Sequence, residues 1–385
     1  MIPYGRQDIT QADIDAVVKV LQSDFLTQGP MVPSFENLVA QYCGTSHAVA
    51  VNSATSALHV ACLALGLSSG DLLWTSPITF VASANCGLYC GADVDFVDID
   101  PFTYNMSIES LTLKLEKAAL NGRLPKILIP VHLCGQSCDM QAIQALSKQY
   151  GFSVIEDASH AIGGRYCERP IGNCQYSDIT IFSFHPVKII TTAEGGMAIT
   201  NNSRLAERMD LLRSHGITRN PDQMTKTADG PWYYQQIDLG FNYRMTELQA
   251  ALGVSQIERL DHYVSRRHTL ANRYNQLLDA LPVITPVQLS DAYSALHLYV
   301  ILLPKDSAIK RRKVFEFLRA NGVGVNLHYI PVHTQPYYEN IGFKKGDFPN
   351  SEDYYARAIS LPIYPGMTEA DQDNIVNILQ RALTA

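Results

Sequence analysis

The sequence lacks a strong excess of charge and lacks any block of basic residues. Its 385 residues include 30 lysines and arginines against 37 aspartates and glutamates, which gives a formal net charge of −7. Nucleic acids and anionic membrane surfaces are bound mainly by clustered basic side chains. The composition therefore predicts no nucleic-acid partner and no membrane partner.

Long apolar runs are missing as well. No segment approaches the roughly 20 apolar residues that a membrane-spanning helix needs. The first residues, Met1 to Arg6, lack the basic end and apolar run of a secretory leader. We therefore expect a cytoplasmic protein.

The eight cysteines do not form a zinc motif. Cys86 and Cys90 are four residues apart, as are Cys134 and Cys138, whereas zinc modules use closer pairs with a matching distant pair. We interpret all of them as reduced thiols in a reducing compartment, and we expect no metal site.

Segments typical of strands and of helices alternate from about residue 46 to residue 213. Hydrophobic residues make up 46% of the chain, enough for a large core. This alternation predicts an α/β fold, with a mostly parallel sheet covered by helices on both faces. We expect a large domain over residues 1–250, including the N-terminal segment. A smaller α+β domain over 251–385 would include a long linking helix, predicted from about residue 246 to 278.

In open parallel sheets, ligands bind at the carboxyl ends of strands, and three such ends carry polar residues. The first is "VNSATSAL", where a strand ending at Asn52-Ser53 leads directly into a helix. The free amides of a helix start, together with the Thr55 hydroxyl, suit a phosphate group. Ordinary helix capping by Ser53 explains the same residues equally simply.

The second strand end is "FSVIEDASHA", where Glu156 and Asp157 close an apolar strand shortly before His160. A buried acid needs a cationic or hydrogen-bonded partner. The partner could be a protonated ring nitrogen, a metal ion or an arginine in a structural ion pair.

The third is "FSFHPVKIITTAEGG", in which a strand is interrupted at His185-Pro186 and Lys188 follows in the turn. A lysine in an apolar loop has a lowered amine pKa, and its neutral amine forms an imine with an aldehyde. A solvated surface lysine is the simpler alternative. A phosphate seat, a buried acid and a loop lysine on one scaffold are together what pyridoxal 5'-phosphate requires.

The motifs resemble the DegT/DnrJ/EryC1/StrS family of pyridoxal-phosphate-dependent sugar-nucleotide aminotransferases, which have the aspartate-aminotransferase fold (fold type I). The resemblance covers nearly the whole chain. It is carried by the segments "DFLTQGPMVPSFE", "NSATSAL", "SPITFVASAN", "EDASHAIG", "FSFHPVKIITTAEGG", "RSHG", "GFNYRMTELQAALG" and "HYIPVH".

This resemblance implies roles for individual residues. Lys188 would hold the cofactor as a Schiff base and move protons, and Asp157 would pair with the pyridine nitrogen. Phe80 would stack on the ring, and His160 would lie near the ring hydroxyl, where many relatives have glutamine. The phosphate would be bound by Ala54, Thr55, Ser183 and, from the neighbouring subunit of a homodimer with shared active sites, Asn242.

Substrate contacts follow from the same resemblance. Arg213 and Arg244 are further candidates for a diphosphate or a carboxylate, and the aromatic loop at residues 232–234 either covers the nucleotide or only packs. The substrate-binding residues implied are Thr27, His215, His328 and Tyr329.

The implied reaction moves an amino group from an amino acid, glutamate by resemblance, to C4 of a UDP-linked 4-keto-6-deoxy N-acetyl sugar. The product would enter pseudaminic acid biosynthesis. Alternatives are a transaminase for another UDP- or dTDP-linked keto sugar, a sugar dehydratase and a non-catalytic sugar-nucleotide sensor. Dehydratase relatives replace the lysine by histidine, whereas Lys188 is present here. A dinucleotide oxidoreductase would need a glycine-rich turn after the first strand, and "NSATSAL" stands there instead.

Overall fold

The fold was analysed in a computed structural model that describes residues 1–305 and 310–384. Helices surround a central sheet and also form most of the C-terminal part. The helices are α1 (Gln11–Leu21), α2 (Met31–Cys43), α3 (Ala54–Ala64), α4 (Ala82–Tyr89), α5 (Ile108–Leu120), α6 (Met140–Tyr150), α7 (Ser203–Arg213), α8 (Glu247–Ile257), α9 (Leu260–Leu278), α10 (Arg311–Ala320), α11 (Pro336–Asn340), α12 (Pro349–Arg357) and α13 (Glu369–Thr384).

The strands are short, as expected for an α/β protein. They are β1 (His47–Val51), β2 (Leu72–Thr75), β3 (Asp93–Phe96), β4 (Ile127–Ile129), β5 (Ser153–Asp157), β6 (Arg165–Tyr166), β7 (Arg169–Pro170), β8 (Ile179–Ser183), β9 (Gly196–Thr200), β10 (Ile217–Thr218), β11 (Gln235–Gln236), β12 (Ala292–Tyr293), β13 (Tyr299–Leu302) and β14 (Ala358–Leu361).

Local sequence decides where several of the helices begin. Ser107, Asp139 and Asn202 precede α5, α6 and α7, and each side chain accepts a hydrogen bond from a backbone amide in the first helical turn. Thr246 and Gln249 form a reciprocal capping box at the start of α8. Such contacts satisfy amides that have no partner inside the helix, which makes these boundaries readable from sequence.

The central sheet has seven strands in the order β1-β9-β8-β5-β4-β2-β3. Strand β9 is antiparallel to both of its neighbours, and the remaining strand pairs are parallel. The carboxyl ends of β1, β2, β4, β5 and β8 consequently meet at one edge. The predicted α/β fold with a mostly parallel sheet is confirmed.

The predicted single helix over 246–278 is wrong, because the chain bends at Arg259. That residue has non-helical backbone angles, and its guanidinium contacts both carboxylate oxygens of Asp13 at 2.7 and 2.8 Å. Helix α8 packs against α1 and α2, whereas α9 contributes Leu270 and Tyr274 to a separate C-terminal core. The contact of Arg259 with Asp13 of α1 thus occurs at the break between α8 and α9.

The C-terminal core lies between α9, α10, α13 and the antiparallel pair β13–β14. The sequence also predicts a helix near residues 308–321. It corresponds to α10, and its predicted start lies outside the described residues. Across residues 1–305 and 310–384, no helix is both long enough and apolar enough to cross a lipid bilayer.

Candidate active site

A cavity of about 590 Å³ opens at the carboxyl edge of the central sheet. The segments that follow β1, β5 and β8 line it from the sheet side. Residues 326–329 and Tyr4, from the two ends of the chain, form the opposite wall. The predicted residues in its lining are Ala54, Thr55, Phe80, Asp157, His160, Ser183, Lys188, His328 and Tyr329.

The turn from β1 into α3 combines the two alternatives that the sequence left open, a capped helix start and free backbone amides. Ser53 caps the helix, because its hydroxyl accepts the Ser56 amide at 3.1 Å. The amides of Ala54 and Thr55 come first in the helix and therefore have no helical acceptor. Gly196 permits the close packing beneath them, since a Cβ there would lie 2.4 Å from the Ala54 nitrogen. Capping and an anion seat therefore coexist at this turn.

Asp157 lies at the end of β5, and only 5% of its surface is exposed. One carboxylate oxygen accepts the Ser83 hydroxyl at 2.6 Å, and the other accepts the Ser159 amide at 3.1 Å. The Ser83 hydroxyl in turn lies 2.7 Å from that of Thr79. Among the ion pairs of the described residues none involves Asp157, so its charge has no fixed cationic partner.

Glu156, the preceding residue, serves a different purpose. It lies 2.7 Å from the Nε2 atom of His132 and accepts hydrogen bonds from Ser177 and Thr180. Because successive side chains in a strand point to opposite faces, the two adjacent acids face different surroundings. The structural ion pair that the sequence allowed is therefore made by Glu156, and Asp157 faces the cavity.

Lys188 also lines the cavity, in the turn after β8. Its amide donates to the His185 carbonyl at 2.9 Å, and the Thr192 amide returns to the Phe184 carbonyl at 3.0 Å. Burial lowers the pKa of Lys188 to about 8, while the negative charge of Asp157 opposes the shift. A substantial fraction of the amine is consequently neutral and nucleophilic near neutral pH.

His160 is 5% exposed and lies between two aromatic neighbours. Its Nε2 atom is 3.0 Å from the Tyr329 hydroxyl, and its ring centroid is 4.5 Å from that of His297. Burial, with the charge of Lys188, holds the pKa of His160 well below its ordinary range. Its Nδ1 atom has no hydrogen-bond partner among the described residues. Because His160 belongs to the cavity lining, this unpaired buried atom is a candidate contact for a ligand.

Phe80 and His328, two further predicted residues of the cavity, differ in their exposure to solvent. Phe80 belongs to the cavity lining and is 59% exposed. His328 is held by the Ser360 hydroxyl at 2.8 Å, and burial lowers the pKa of this histidine to about 3.

Several lining residues were not predicted, and Tyr4, Ser83, His297 and Asn326 are among them. Ser83 stands inside the quoted motif "SPITFVASAN", one helical turn after Thr79, and could have been found by that spacing. For the other three no local signal exists, because they reach the cavity from distant parts of the chain.

Three predicted residues do not line the cavity of this chain. Thr27 and Asn242 are exposed, and His215 sits in a left-handed turn next to Phe241. Arg213, a further candidate, is bound to Glu36 and to the Ala50 carbonyl. Its guanidinium is thus already engaged within the fold.

The loop that carries Thr27 is held by a buried carboxylate at the start of α8. Glu247 is fully buried, and its two oxygens accept the Met31 and Val32 amides at 2.6 and 3.2 Å. Its own amide donates to the Leu26 carbonyl at 3.1 Å. Since Pro30 offers no capping side chain, Glu247 caps α2 from a distant part of the sequence.

Replacing Glu247 with alanine should lower the free energy of unfolding by about 2–3 kcal/mol, because two buried amides lose a charged acceptor. Urea unfolding followed by circular dichroism measures this change. The matched control is Glu258→Ala at the other end of the same helix, where the side chain is exposed. Equal effects of the two substitutions would contradict the capping role.

Comparison with known proteins places this geometry in a family. Residues 7–380 match the DegT/DnrJ/EryC1/StrS aminotransferase family. The spore coat polysaccharide biosynthesis protein SpsC of Bacillus subtilis is 40% identical over 98% of this chain and 96% of its own length. A Campylobacter jejuni protein named UDP-4-amino-4,6-dideoxy-N-acetyl-beta-L-altrosamine transaminase is 36% identical over 99% of this chain and 98% of its own.

Solved structures agree with these relatives. Helicobacter pylori PseC, described as an aminotransferase involved in pseudoaminic acid biosynthesis, superposes with a TM-score of 0.91 at 30% identity, covering 100% of this chain and 99% of its own. A sugar aminotransferase described as putative, Spr1654 from Streptococcus pneumoniae in its PMP form, gives 0.90 at 26% identity with the same coverage. The chain therefore belongs to the DegT/DnrJ/EryC1/StrS aminotransferase family. The prediction that it is an aminotransferase of this family is confirmed.

Proposed function

We propose that this protein is a pyridoxal-phosphate-dependent sugar aminotransferase. The observation that carries the proposal is the meeting of Lys188, Asp157 and the free amides of α3 in one cavity. Each of these matches one part of the cofactor: an amine for the aldehyde, an acid for the ring nitrogen and an anion seat for the phosphate. The PMP and PLP forms described for Spr1654 support the same cofactor.

The residues fit the cofactor not only in their chemical type. Two of them also lack, within the described part of the chain, a partner that the cofactor would supply. Asp157 is buried without a cationic partner, which a protonated pyridine nitrogen would supply. The orphaned Nδ1 atom of His160 would find an acceptor in the ring oxygen. Ser183, 8% exposed at the end of β8, would add a hydroxyl to the phosphate seat of Ala54 and Thr55.

When bound, pyridoxal phosphate supplies an aldehyde that takes up the amino group and a ring that stabilises negative charge on the adjacent carbon. Lys188 would hold the cofactor and, once its amine is released, would carry a proton at Nζ to and from the reacting carbons. Its lowered pKa allows the amine to act as a base near neutral pH. Asp157 would keep the ring nitrogen protonated, and Ser83 would orient the carboxylate through its hydrogen bond.

The amino acceptor proposed is a UDP-linked 4-keto-6-deoxy N-acetyl sugar, aminated at C4, with glutamate as donor, in pseudaminic acid biosynthesis. The names of the Campylobacter and Helicobacter proteins support this choice. The similarity to SpsC supports a second candidate, a keto sugar nucleotide for a different polysaccharide. His328 and Tyr329 in the cavity wall are proposed to contact the acceptor.

We also propose a homodimer in which each subunit completes the other's site. Asn242 is exposed, whereas its neighbours Phe241 and Tyr243 stack on each other at 4.8 Å. Leu239 and Trp232 in the same segment are 76% and 69% exposed, an unusual exposure for apolar side chains. A second copy covering this segment would bury them and bring Asn242 to a neighbouring phosphate seat. Thr27 and His215, outside this chain's cavity, are proposed to serve substrate binding in the same way.

The purified protein should convert UDP-4-keto-6-deoxy-N-acetyl-β-L-altrosamine and isotope-labelled glutamate into a labelled amino sugar and 2-oxoglutarate. Mass spectrometry of the sugar nucleotide and an assay of the keto acid measure both products. Parallel reactions with other UDP- and dTDP-linked keto sugars should be slower. Loss of water without release of 2-oxoglutarate would indicate a dehydratase. Faster amination of another sugar would overturn the proposed acceptor.

A further inference from the structure

The contact between His160 and Tyr329 raises the question of which group donates the hydrogen bond. The two atoms, Nε2 and the phenolic oxygen, are 3.0 Å apart and belong to residues 169 positions apart in the sequence. A neutral imidazole carries one proton, on either Nδ1 or Nε2, and the direction of this bond decides which.

Both groups are neutral in the folded protein. Burial holds the pKa of the His160 imidazole well below its ordinary range, and burial raises the pKa of the Tyr329 hydroxyl. The imidazole therefore has one N–H and one lone pair, and the phenol keeps its O–H. Either group could donate the hydrogen bond between them. The favoured direction is the one that leaves fewer polar atoms without a partner.

The count of unpaired groups favours the phenol as donor. If Tyr329 donates, Nε2 is satisfied as the acceptor, and only the Nδ1 proton of His160 lacks a partner. If His160 donates instead, the Tyr329 hydroxyl proton also loses its acceptor, because the described residues provide no other bond for it. An imidazole nitrogen is also a stronger base than a phenol oxygen, which points the same way.

Tyr329 is held in place for this role by the residues around it. The carbonyl of the preceding residue, His328, accepts the buried Tyr354 hydroxyl at 2.8 Å. The Tyr329 ring lies nearly parallel to that of His160, at 21°, with centroids 6.0 Å apart. His297 packs on the histidine as well, at 4.5 Å, so neither ring has much freedom to turn.

We propose that Tyr329 is a positioning residue, which donates to Nε2 of His160 and so keeps the imidazole proton on Nδ1 as a donor for an anionic ligand oxygen. The identity of that oxygen, the ring hydroxyl oxygen of pyridoxal phosphate, rests on the proposed function. The assignment of the proton to Nδ1 rests on the structure of the cofactor-free chain and can be tested without the cofactor.

The first test is nitrogen NMR of the full-length, cofactor-free protein labelled in histidine, with the His160 signal assigned by its loss in His160→Gln. The wild type should show the Nδ1–H tautomer. Tyr329→Phe should shift the population toward Nε2–H. The matched control is Tyr42→Phe, which also removes one hydrogen-bonded tyrosine hydroxyl. Tyr42 donates to Asp261 at 2.6 Å and is not part of the cavity lining. An Nε2–H tautomer in the wild type would overturn the proposal.

The second test measures pyridoxal phosphate binding by absorbance titration. Tyr329→Phe should weaken binding by about fivefold to tenfold, as expected for one compromised hydrogen bond to a charged group. Tyr42→Phe should leave binding unchanged, because Tyr42 lies outside the cavity lining. In a His160→Gln background the amide donates without help from a tyrosine, so adding Tyr329→Phe should change little. An undiminished effect of Tyr329→Phe in that background would contradict the role through His160. If no variant binds the cofactor, the proposed function fails while the NMR result stands.

Discussion

Substituting Lys188 with alanine should reduce transamination by at least about 10³-fold, because in the proposed function this one side chain serves as covalent anchor, general base and general acid. No other lysine lines the cavity in the described part of the chain. The fold should survive, since Lys188 lies in a turn and its side chain forms no hydrogen bond or ion pair with the residues that the structure describes. Activity is measured as release of 2-oxoglutarate, and folding by thermal unfolding.

Chemical trapping gives the independent readout for this prediction. Borohydride reduction of the wild-type protein with pyridoxal phosphate should attach the cofactor to Lys188, as found by peptide mass mapping. Lys148→Ala provides the control, because that lysine is exposed and its amine donates a hydrogen bond to Gln144 on the surface. It should keep both activity and labelling. A label on any other residue of the wild type, or normal turnover by Lys188→Ala, would contradict the assignment.

Exchanging Asp157 for asparagine should lower kcat by about 10²- to 10³-fold, comparable to losing a preorganised electrostatic contact at the reacting centre. The amide has the same shape, and its oxygen can still accept from Ser83, but its NH2 group cannot accept the Ser159 amide. The variant therefore loses the negative charge and one backbone hydrogen bond. Pyridoxal phosphate should also bind more weakly, because its protonated ring nitrogen loses its counterion. Stopped-flow absorbance and cofactor titration measure the two effects.

Glu156→Gln is the matched control for that variant, because the altered residue is adjacent, buried and acidic as well. Its side chain contacts His132, Ser177 and Thr180 and is not part of the cavity. We expect Glu156→Gln to reduce stability while leaving cofactor affinity within about twofold. If the two substitutions affected cofactor binding equally, the separate roles of the two acids would be refuted.

The functions of Glu156 and Asp157 illustrate how far sequence reasoning extends. Their position at a buried strand end predicts an unusual environment for both, and the alternation of strand side chains predicts opposite directions. Which of the two faces the cavity depends on what covers each side of the sheet. Ser83 of α4 covers the side that Asp157 faces, and His132 after β4 covers the side that Glu156 faces. Both residues come close to these acids only in the folded chain.

The sequence alone determined most of the elements and much of the cavity wall on the sheet side. Hydrophobic periodicity, helix-capping residues and strand ends are local properties of the sequence. The α/β alternation, the turn at Ser53 and the interrupted strand before Lys188 could therefore be predicted from it. The family motifs then named most residues of that wall. These predictions needed no information about which distant segments meet.

Tertiary structure decided the opposite wall and the state of the groups in the cavity. Tyr4, His297 and Asn326 join Lys188 in the cavity lining from both ends of the chain, and no local pattern encodes such an approach. The lowered pKa of Lys188 and the unpaired nitrogen of His160 arise from burial among these segments. Desolvation depends on everything that surrounds a group in space, which is why only the folded chain sets it.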